Sequence, residues 1–189
     1  PLSMKDGATL DDMTQSTRQE VANTIISQLQ EAITYLPDEH SNIQGTYYAK
    51  FTRPVAYFIL AKMMLNNEIY LGTGGHTFNI DGKELNAWEA CIYYCNMITK
   101  EGYSLEKNYA DNFAVHNETS SENIFTIPMD KTLYSNQFWN LFRSRHYNHG
   151  SAIGMDADNG SCATLSTVKT YGYGTDSIDN RLSINFYSD

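Results

Sequence analysis

The amino-acid sequence predicts a mainly α-helical protein whose later part is rich in loops. Apolar residues recur at helical spacing in the three segments 17–36, 53–70 and 84–100. Residues that cap or end helices stand at the ends of these segments. Beyond residue 142 no long periodic segment follows, and Gly, Ser, Thr and Asn become frequent. We therefore expect a helical domain over residues 1–130 and a loop-rich domain over residues 131–189.

The first predicted helix begins at Thr17, which has the spacing of a capping box with Glu20. In a capping box each side chain accepts a hydrogen bond from the other residue's backbone N–H. Pro37 ends the segment, because proline lacks the amide proton that a helix interior needs. The apolar positions at helical spacing are Val21, Ile25, Ile26, Leu29, Ile33 and Leu36.

The second predicted helix follows Thr52, a suitable N-cap residue, and has Pro54 in its first turn, where a missing N–H costs nothing. Residues 55–61 are apolar on almost every side. Such a helix is typically buried between neighbouring elements. We expect it to continue to Tyr70 and to end at Gly72.

Residues 72–83 contain four glycines and predict a turn-rich loop. These glycines follow a helix and lack an adjoining Lys-Ser or Lys-Thr pair, so they do not predict a phosphate-binding loop. The third predicted helix covers residues 84–100 and ends before Gly102, which suits a left-handed C-cap. Its apolar residues, expected on one side, are Ala87, Trp88, Cys91, Ile92, Cys95 and Ile98.

Helices that pack through alternating small and large residues predict an α–α superhelical scaffold of the tetratricopeptide type. The first two helices would form one helix–turn–helix unit, and the third would open the next. Trp88 and Cys91 resemble the start of a tetratricopeptide unit. Residues 122–128 predict a short strand, which Pro128 places at a sheet edge or a strand end.

The three cysteines do not form a C-x-x-C motif. Cys91 and Cys95 lie four residues apart on the third predicted helix. They admit two interpretations, a metal or redox pair, or two small buried hydrophobic residues. We expect the second, because free cysteine is often buried.

The net charge of −9 disfavours nucleic acid as a partner, since nucleic-acid binders present a basic face. It also disfavours direct docking to anionic lipid headgroups. The sequence has no apolar run long enough to span a bilayer. It begins at Pro1 without an initiator Met or a signal peptide, so we expect a processed end or an internal cut.

Motifs for catalysis or metal binding are weak. No Gly-x-Ser-x-Gly nucleophile motif is present. His146 and His149 have a metal-like spacing without a third ligand at a motif distance. Asp156 and Asp158 lack the closing acid of a calcium loop, and a looser calcium site stays open. A carboxylate pair for glycoside hydrolysis also stays open, because its separation is spatial. The available acids are Asp130, Asp156, Asp176 and Asp179. We predict no metal and no cofactor.

Aromatic residues give a better lead to function. The chain has 14 Tyr, 8 Phe and 2 Trp. A flat ring with a polar tip can stack and hydrogen-bond at once, which suits sugars and peptides. Trp139 would present a ring to a sugar or pack in the core. Tyr171 and Tyr173 stand next to glycines and are expected to be exposed. The candidate ligand-binding residues are Tyr134, Trp139, Arg143, Tyr147, Tyr171 and Tyr173.

Five stretches, in order, resemble the SusD/RagB family of outer-membrane nutrient-binding lipoproteins of Bacteroidetes. They include residues 16–37, which end in A-x-x-x-L-P, residues 51–65, which contain A-x-x-x-L-A-K-x-x-L, and residues 88–100 followed by Gly-Tyr-Ser-Leu at 102–105. The others are 108–113 together with 121–130, and Asp-Asn-Arg at 179–181. Residues 49–53 depart from the family pattern, which often has Gly-Arg before the second helix.

The resemblance implies a tetratricopeptide-type helical scaffold with a loop-rich ligand lobe and no catalytic activity. Family members are lipid-anchored at the cell surface. They capture glycans, or sometimes peptides, for polysaccharide utilisation and nutrient uptake, and pass them to a SusC-like TonB-dependent transporter. They are longer at both ends and carry a lipidated cysteine that this sequence lacks, so we expect a fragment. The family's ligand-binding positions vary, and the candidate residues above therefore come from the aromatic clusters alone.

Three functions fit the sequence to different degrees. The first is non-catalytic glycan binding at the cell surface, with peptide binding as a variant. The second is an extracellular polymer hydrolase that uses an unmarked carboxylate pair. The third is a tetratricopeptide protein that binds only other proteins. Scaffold motifs outnumber catalytic motifs and the later part is rich in Tyr, so we favour the first and predict that the protein is not an enzyme.

Overall fold

The structure is a computed structural model that describes residue 9 and residues 14–42, 45–128, 145–154 and 156–186. The chain separates into two compact units, residues 1–127 and residues 128–189. The sequence predicted a boundary at residue 130. The described residues are partly helical and contain one two-stranded sheet, which is compatible with the predicted mainly α-helical class. They do not show a tetratricopeptide-type superhelix. None of the described helices has both the length and the apolar character needed to cross a membrane.

Helix α1 is Arg18–Ala32, and its predicted capping box is confirmed. The Thr17 hydroxyl accepts a hydrogen bond from Glu20 N at 3.2 Å, and the Glu20 carboxylate accepts one from Thr17 N at 2.8 Å. The helix ends four residues earlier than predicted. Residues 33–36 form turns instead, in which Tyr35 N donates to Ala32 O at 3.0 Å. Shorter-range bonds of this kind commonly satisfy the last carbonyls of a helix.

The predicted helix 53–70 is divided into α2, Arg53–Leu65, and α3, Asn67–Leu71. Asn66 marks the break, and its side-chain amide donates to Lys62 O at 2.9 Å. Asparagine side chains compete for backbone groups in this way and favour helix ends. Thr52 does occupy the N-cap position of α2, but its hydroxyl forms no capping bond.

A β-hairpin follows α3, where the sequence predicted a loop over residues 72–83. Strand β1, Thr77–Ile80, pairs antiparallel with strand β2, Lys83–Asn86. Asp81 and Gly82 form the two-residue turn, with φ of 51° and 74°. Two-residue hairpin turns of type I′ need positive φ at both positions, and Asp-Gly supplies it well. The Asp-Gly signal was present in the sequence and was missed.

Helix α4, Ala87–Lys100, begins three residues later than predicted because Asn86 and Glu89 form a second capping box. Its buried residues are Ala87, Ala90, Tyr94 and Ile98. The predicted inward face was wrong at three positions. Trp88 is 55% exposed, Ile92 is 61% exposed and Cys95 is exposed. The stripe through Ala90 and Tyr94 faces the core, and Trp88 and Ile92 point away from it.

The cysteine pair on α4 is only partly buried, so the expectation of two buried hydrophobic residues was wrong for Cys95. Cys91 is half-buried. Burial and the neighbouring Cys95 thiol raise the pKa of the Cys91 thiol. A raised thiol pKa lowers the thiolate fraction and with it the reactivity of the sulfur.

The core of unit 1 is centred on α2, which packs mainly against α4 and also against α1 and α3. Leu60 and Met64 of α2 are fully buried. The ring of Tyr57 lies near that of Tyr94 on α4, with 6.1 Å between centroids. The core cluster also includes Ile80 at the end of β1. The hairpin is therefore attached to the same core as the helices.

Arg53 joins the beginning of α2 to the turn that follows α1. Its guanidinium donates to Ile33 O at 3.2 Å and to Leu36 O at 2.9 Å. It also lies within 4.0 Å of the Asp38 carboxylate and 3.9 Å of the Glu101 carboxylate. Arginine suits this role because its planar group carries five donors.

The strand predicted over residues 122–128 is absent, and the described backbone there is irregular. Side-chain hydrogen bonds hold the segment instead. The Glu122 carboxylate accepts from Glu106 N at 3.1 Å and from the Asn112 amide at 2.7 Å. The Glu106 carboxylate accepts from Ser121 N at 2.6 Å, and the Ser41 hydroxyl donates to Ile124 O at 2.9 Å. These bonds replace the ladder that a strand would have formed.

Unit 2 contains three short helices among its described residues, α5 (Tyr147–Ala152), α6 (Leu165–Thr170) and α7 (Leu182–Asn185). Thr164 caps α6 by accepting from Thr167 N at 3.2 Å. Gly150 is the one buried residue in the described part of this unit. Local hydrogen bonds and ring contacts, more than a buried core, therefore stabilise the described part of unit 2.

Replacing a core residue of α2 tests the central position of this helix. We expect Leu60→Ala to lower the free energy of unfolding by about 2–5 kcal/mol, because it leaves a cavity at a fully buried site. Leu65→Ala is the matched control on the same helix, since Leu65 is 54% exposed. Urea denaturation followed by circular dichroism gives both values. Equal effects of the two changes would contradict the assigned inward face.

A second prediction concerns the segment around residue 122. Glu122→Ala removes the acceptor of two hydrogen bonds, and we expect it to cost about 1–3 kcal/mol of stability. Glu39→Ala removes an exposed carboxylate and is expected to change stability little. Thermal unfolding at neutral pH compares them. A Glu122→Ala protein as stable as the Glu39→Ala protein would show that the side-chain bonds do not hold the segment.

Candidate functional site

Three of the six predicted ligand-binding residues lie outside the described residues, namely Tyr134, Trp139 and Arg143. Tyr147, Tyr171 and Tyr173 lie in the described part of unit 2. Tyr147 is 57% exposed and Tyr173 is 50% exposed, whereas Tyr171 is half-buried. Tyr171 is thus less exposed than expected.

The Tyr171 ring is held on several sides by its neighbours. The Phe186 ring meets it edge-on with 5.5 Å between centroids. The Arg181 guanidinium lies 5.9 Å from its centroid, and the Asn185 amide donates to its hydroxyl at 3.4 Å. We call Tyr171, Phe186, Arg181 and Asn185 the aromatic platform. These contacts fix the orientation of the Tyr171 ring before any ligand arrives.

Asp179 in turn fixes Arg181. The guanidinium makes three hydrogen bonds to the Asp179 carboxylate, at 2.5–3.1 Å. These side-chain bonds, a further bond from Arg181 N and the positive charge lower the pKa of Asp179 to about 2. The Asp-Asn-Arg motif at residues 179–181 therefore positions the Arg181 guanidinium beside the Tyr171 ring.

Glycine is required at position 172 beside the platform. Gly172 has a φ of 79°, and a Cβ there would lie 2.0 Å from Ser177 O. This close approach lets the chain return to Tyr171, where Asp179 N donates to Tyr171 O at 2.9 Å. Tyr173 follows directly and is exposed beside the same turn.

Tyr147 belongs to a second ring cluster, at the start of α5. Its centroid lies 4.1 Å from that of His146, which lies 5.8 Å from that of His149. His146 Nδ1 accepts a hydrogen bond from Asn148 N at 3.2 Å and caps the helix. That lone pair is therefore engaged and is not offered to a metal ion.

The remaining metal candidates that the structure describes do not form a metal-binding group. Within the described ranges, no group of three or more His, Cys, Asp or Glu side chains is arranged to hold a metal ion. Asp156, Asp158, Asp176 and Asp179 all lie in the described part of unit 2, and Asp130 lies outside it.

Two adjoining clefts in unit 1 form a site that the sequence analysis missed. The larger has a volume of about 350 Å³ and the smaller about 290 Å³. Both are lined by Ile80, Asp81 and Tyr93. The larger cleft is also lined by Gln30, Ile33, Thr34, Tyr57, Asn79, Tyr94 and Met97. The hairpin, α1, α2 and α4 each contribute to it.

A hydrogen bond between the hairpin turn and α4 lies where the clefts adjoin. The Tyr93 hydroxyl donates to the Asp81 carboxylate at 2.5 Å. Burial of the phenol, together with this bond, raises the pKa of Tyr93. Burial also raises the pKa of Tyr94, whose hydroxyl accepts from the Gln30 amide at 3.2 Å. Both phenols therefore stay neutral at physiological pH.

Comparisons with protein-family models, curated proteins and solved structures found no match for this chain. The candidate sites therefore depend on their own geometry. The aromatic platform is a surface site in unit 2, and the paired clefts form a concave site in unit 1.

The buried tyrosines of unit 1 predict an alkaline transition. Burial raises the pKa of Tyr57, Tyr93, Tyr94 and Tyr103, to about 12 for Tyr103. Between the ordinary tyrosine pKa of about 10 and these raised values, the native state keeps protons that the unfolded chain releases. The stability due to these groups is thus complete below about pH 10 and is lost as pH rises through about 12.

Alkaline titration followed by tyrosinate absorbance checks this prediction. We expect one group of tyrosines to ionise near the ordinary pKa and a delayed group to ionise together with unfolding, seen by circular dichroism. Tyr93→Phe should reduce the delayed group by one residue. Ionisation of every tyrosine near the ordinary pKa in a protein that stays folded would contradict the assignment.

Proposed function

We propose that this chain binds a glycan at the cell surface without changing it chemically. The observation that carries the proposal is the aromatic platform of unit 2, in which neighbouring side chains hold the Tyr171 ring, with exposed Tyr173 two residues away. A sugar ring offers an apolar face of C–H groups and a rim of hydroxyls. A tyrosine ring complements the face, and nearby polar side chains complement the rim.

A ring that is already held in place favours binding. An exposed side chain that becomes fixed on binding costs about 0.5–1.5 kcal/mol in lost freedom. Asp179, Arg181 and Phe186 already restrict the region around Tyr171. Ligand binding therefore loses less free energy to the ordering of the Tyr171 side chain. Tyr147, beside His146, supplies a further exposed ring in the same unit.

The proposal extends to the SusD/RagB-like character that the sequence resemblance implies. On this proposal the chain is part of a lipid-anchored outer-membrane protein with a tetratricopeptide-type scaffold. It delivers its ligand to a SusC-like TonB-dependent transporter and uses no cofactor. The support is the order of the five sequence stretches, three of which correspond to α1, α2 and α4 and their flanking residues.

Titration calorimetry of the full chain with a panel of neutral oligosaccharides tests the proposal. We expect Tyr171→Ala and Tyr173→Ala each to weaken binding about tenfold, since a stacked ring contributes about 1 kcal/mol or more. Tyr35→Ala is the matched control, because Tyr35 is 82% exposed and lies in unit 1. Trp139→Ala makes the same test for a predicted residue outside the described ranges.

Two further measurements separate the alternatives. Release of reducing sugar above background would replace the binding function with a hydrolase. Binding of oligopeptides, with no oligosaccharide bound, would point to the peptide variant of the proposal. Unchanged affinity in folded Tyr171→Ala and Tyr173→Ala proteins would reject the platform as the binding surface.

A further inference from the structure

We propose that the larger cleft of unit 1 binds a primary ammonium group, with Asp81 as its counter-ion and tyrosine rings as its walls. The cleft has a volume of about 350 Å³ and is formed by the hairpin, α1, α2 and α4. This inference concerns unit 1 alone and stands independently of glycan binding in unit 2.

The charge of the cleft favours a cation. Asp81 is the one charged residue among those that line the larger cleft. Within the described part of the chain, no Lys, Arg or His forms an ion pair with it. A phosphate, sulfate or carboxylate ligand would meet the like charge of Asp81 and be disfavoured.

The aromatic walls favour a cation as well. The Tyr93 and Tyr94 rings are nearly perpendicular, at 83°, with 5.4 Å between centroids. Tyr57 adds a third ring, whose centroid lies 6.1 Å from that of Tyr94. Aromatic faces carry partial negative charge and attract ammonium groups within about 6 Å.

Several donors of the cleft are already bonded to neighbouring groups of the protein. The Tyr93 hydroxyl already donates to Asp81, and the Gln30 amide donates to Tyr94. The Asn79 amide donates to Glu84 at 3.2 Å, and the Thr34 hydroxyl donates to Glu31 O at 2.8 Å. The Asp81 carboxylate and the side-chain amide oxygens of Gln30 and Asn79, which line the cleft, can act as acceptors for a ligand. A primary ammonium group has three donors and no acceptor, so it complements them.

The wider field of the protein points the same way. The chain carries a net charge of −9. Glu89 lines the smaller cleft, as Asp81 does, and Glu84 accepts a hydrogen bond from the Asn79 amide at the hairpin. Lys83, which lines the smaller cleft, opposes them. Glu84 and Glu89 thus add two negative charges near Asp81, against the one positive charge of Lys83. The resulting negative electrostatic field raises the local concentration of cations.

The ammonium group could belong to an amino sugar or to a simple alkylamine, and the probes distinguish these sources. The ¹⁵N-labelled full chain is titrated with D-glucosamine, with D-glucose and with n-butylammonium, and backbone amide shifts are recorded. We expect glucosamine and butylammonium, but not glucose, to shift the amides of Gln30, Asp81 and Tyr94. Shifts by glucosamine alone would assign the site to an amino sugar. Equal shifts by the two amines would assign it to the ammonium group alone.

Asp81→Asn is the deciding variant. Asparagine accepts the positive φ of 51° at this turn, so the hairpin is retained while the charge is lost. We expect binding of glucosamine to weaken about tenfold, the usual effect of losing a hydrogen bond to a charged group. Asp176→Asn makes the same charge change on an exposed residue of unit 2 and should leave the affinity unchanged.

A second variant gives an independent test. Thr34→Lys places a tethered ammonium group at the edge of the cleft and should prevent binding of both amines. The proposal is overturned if glucose binds as well as glucosamine. It is also overturned if Asp81→Asn binds as the unaltered chain does, or if Thr34→Lys leaves the affinity unchanged.

Discussion

The burial of the inward side of α2 is the constraint on which the rest of unit 1 depends. Its buried residues pack against α1, α3 and α4, whereas Phe58, Lys62 and Leu65 lie on an exposed side. Leu60 and Met64 take the central positions, and Arg53 fixes the start of the helix to the turn after α1. The hairpin joins this core through Ile80. Asp81 directly follows Ile80 in the sequence. The packing of Ile80 against the core around α2 therefore also fixes the position of Asp81.

Local signals in the sequence predicted the beginnings of elements better than their faces. The capping box of Thr17 and Glu20 is complete within four residues, so the start of α1 could be predicted. The inward face of α4 could not, because apolar residues occur on more than one side of the helix. Ala90 is fully buried whereas Trp88 is largely exposed. A small residue allows two helices to approach closely, and hydrophobicity alone does not reveal which residue has that role.

The candidate sites differ in how far the sequence could reveal them. Tyr171 and Tyr173 stand beside glycines, and this local pattern identified them. The cleft in unit 1 brings together Gln30, Asp81 and Tyr94, which are distant in the sequence. Their meeting depends on the packing of α1 and α4 and on a hairpin that was predicted as a loop. The Asp-Gly pair indicated the turn, but no local pattern placed that turn against a tyrosine.

The hairpin turn makes two separate demands on the residue at position 81. The backbone needs a side chain that tolerates a left-handed conformation, which Gly, Asn and Asp do best. The bond from Tyr93 and the charge of the cleft need a short carboxylate. Asparagine would meet the first demand and could accept the bond from Tyr93, but it would lack the charge, and glutamate would carry the charge while straining the turn. Aspartate is the one common amino acid that meets both, so shape and charge at this turn are carried by a single side chain.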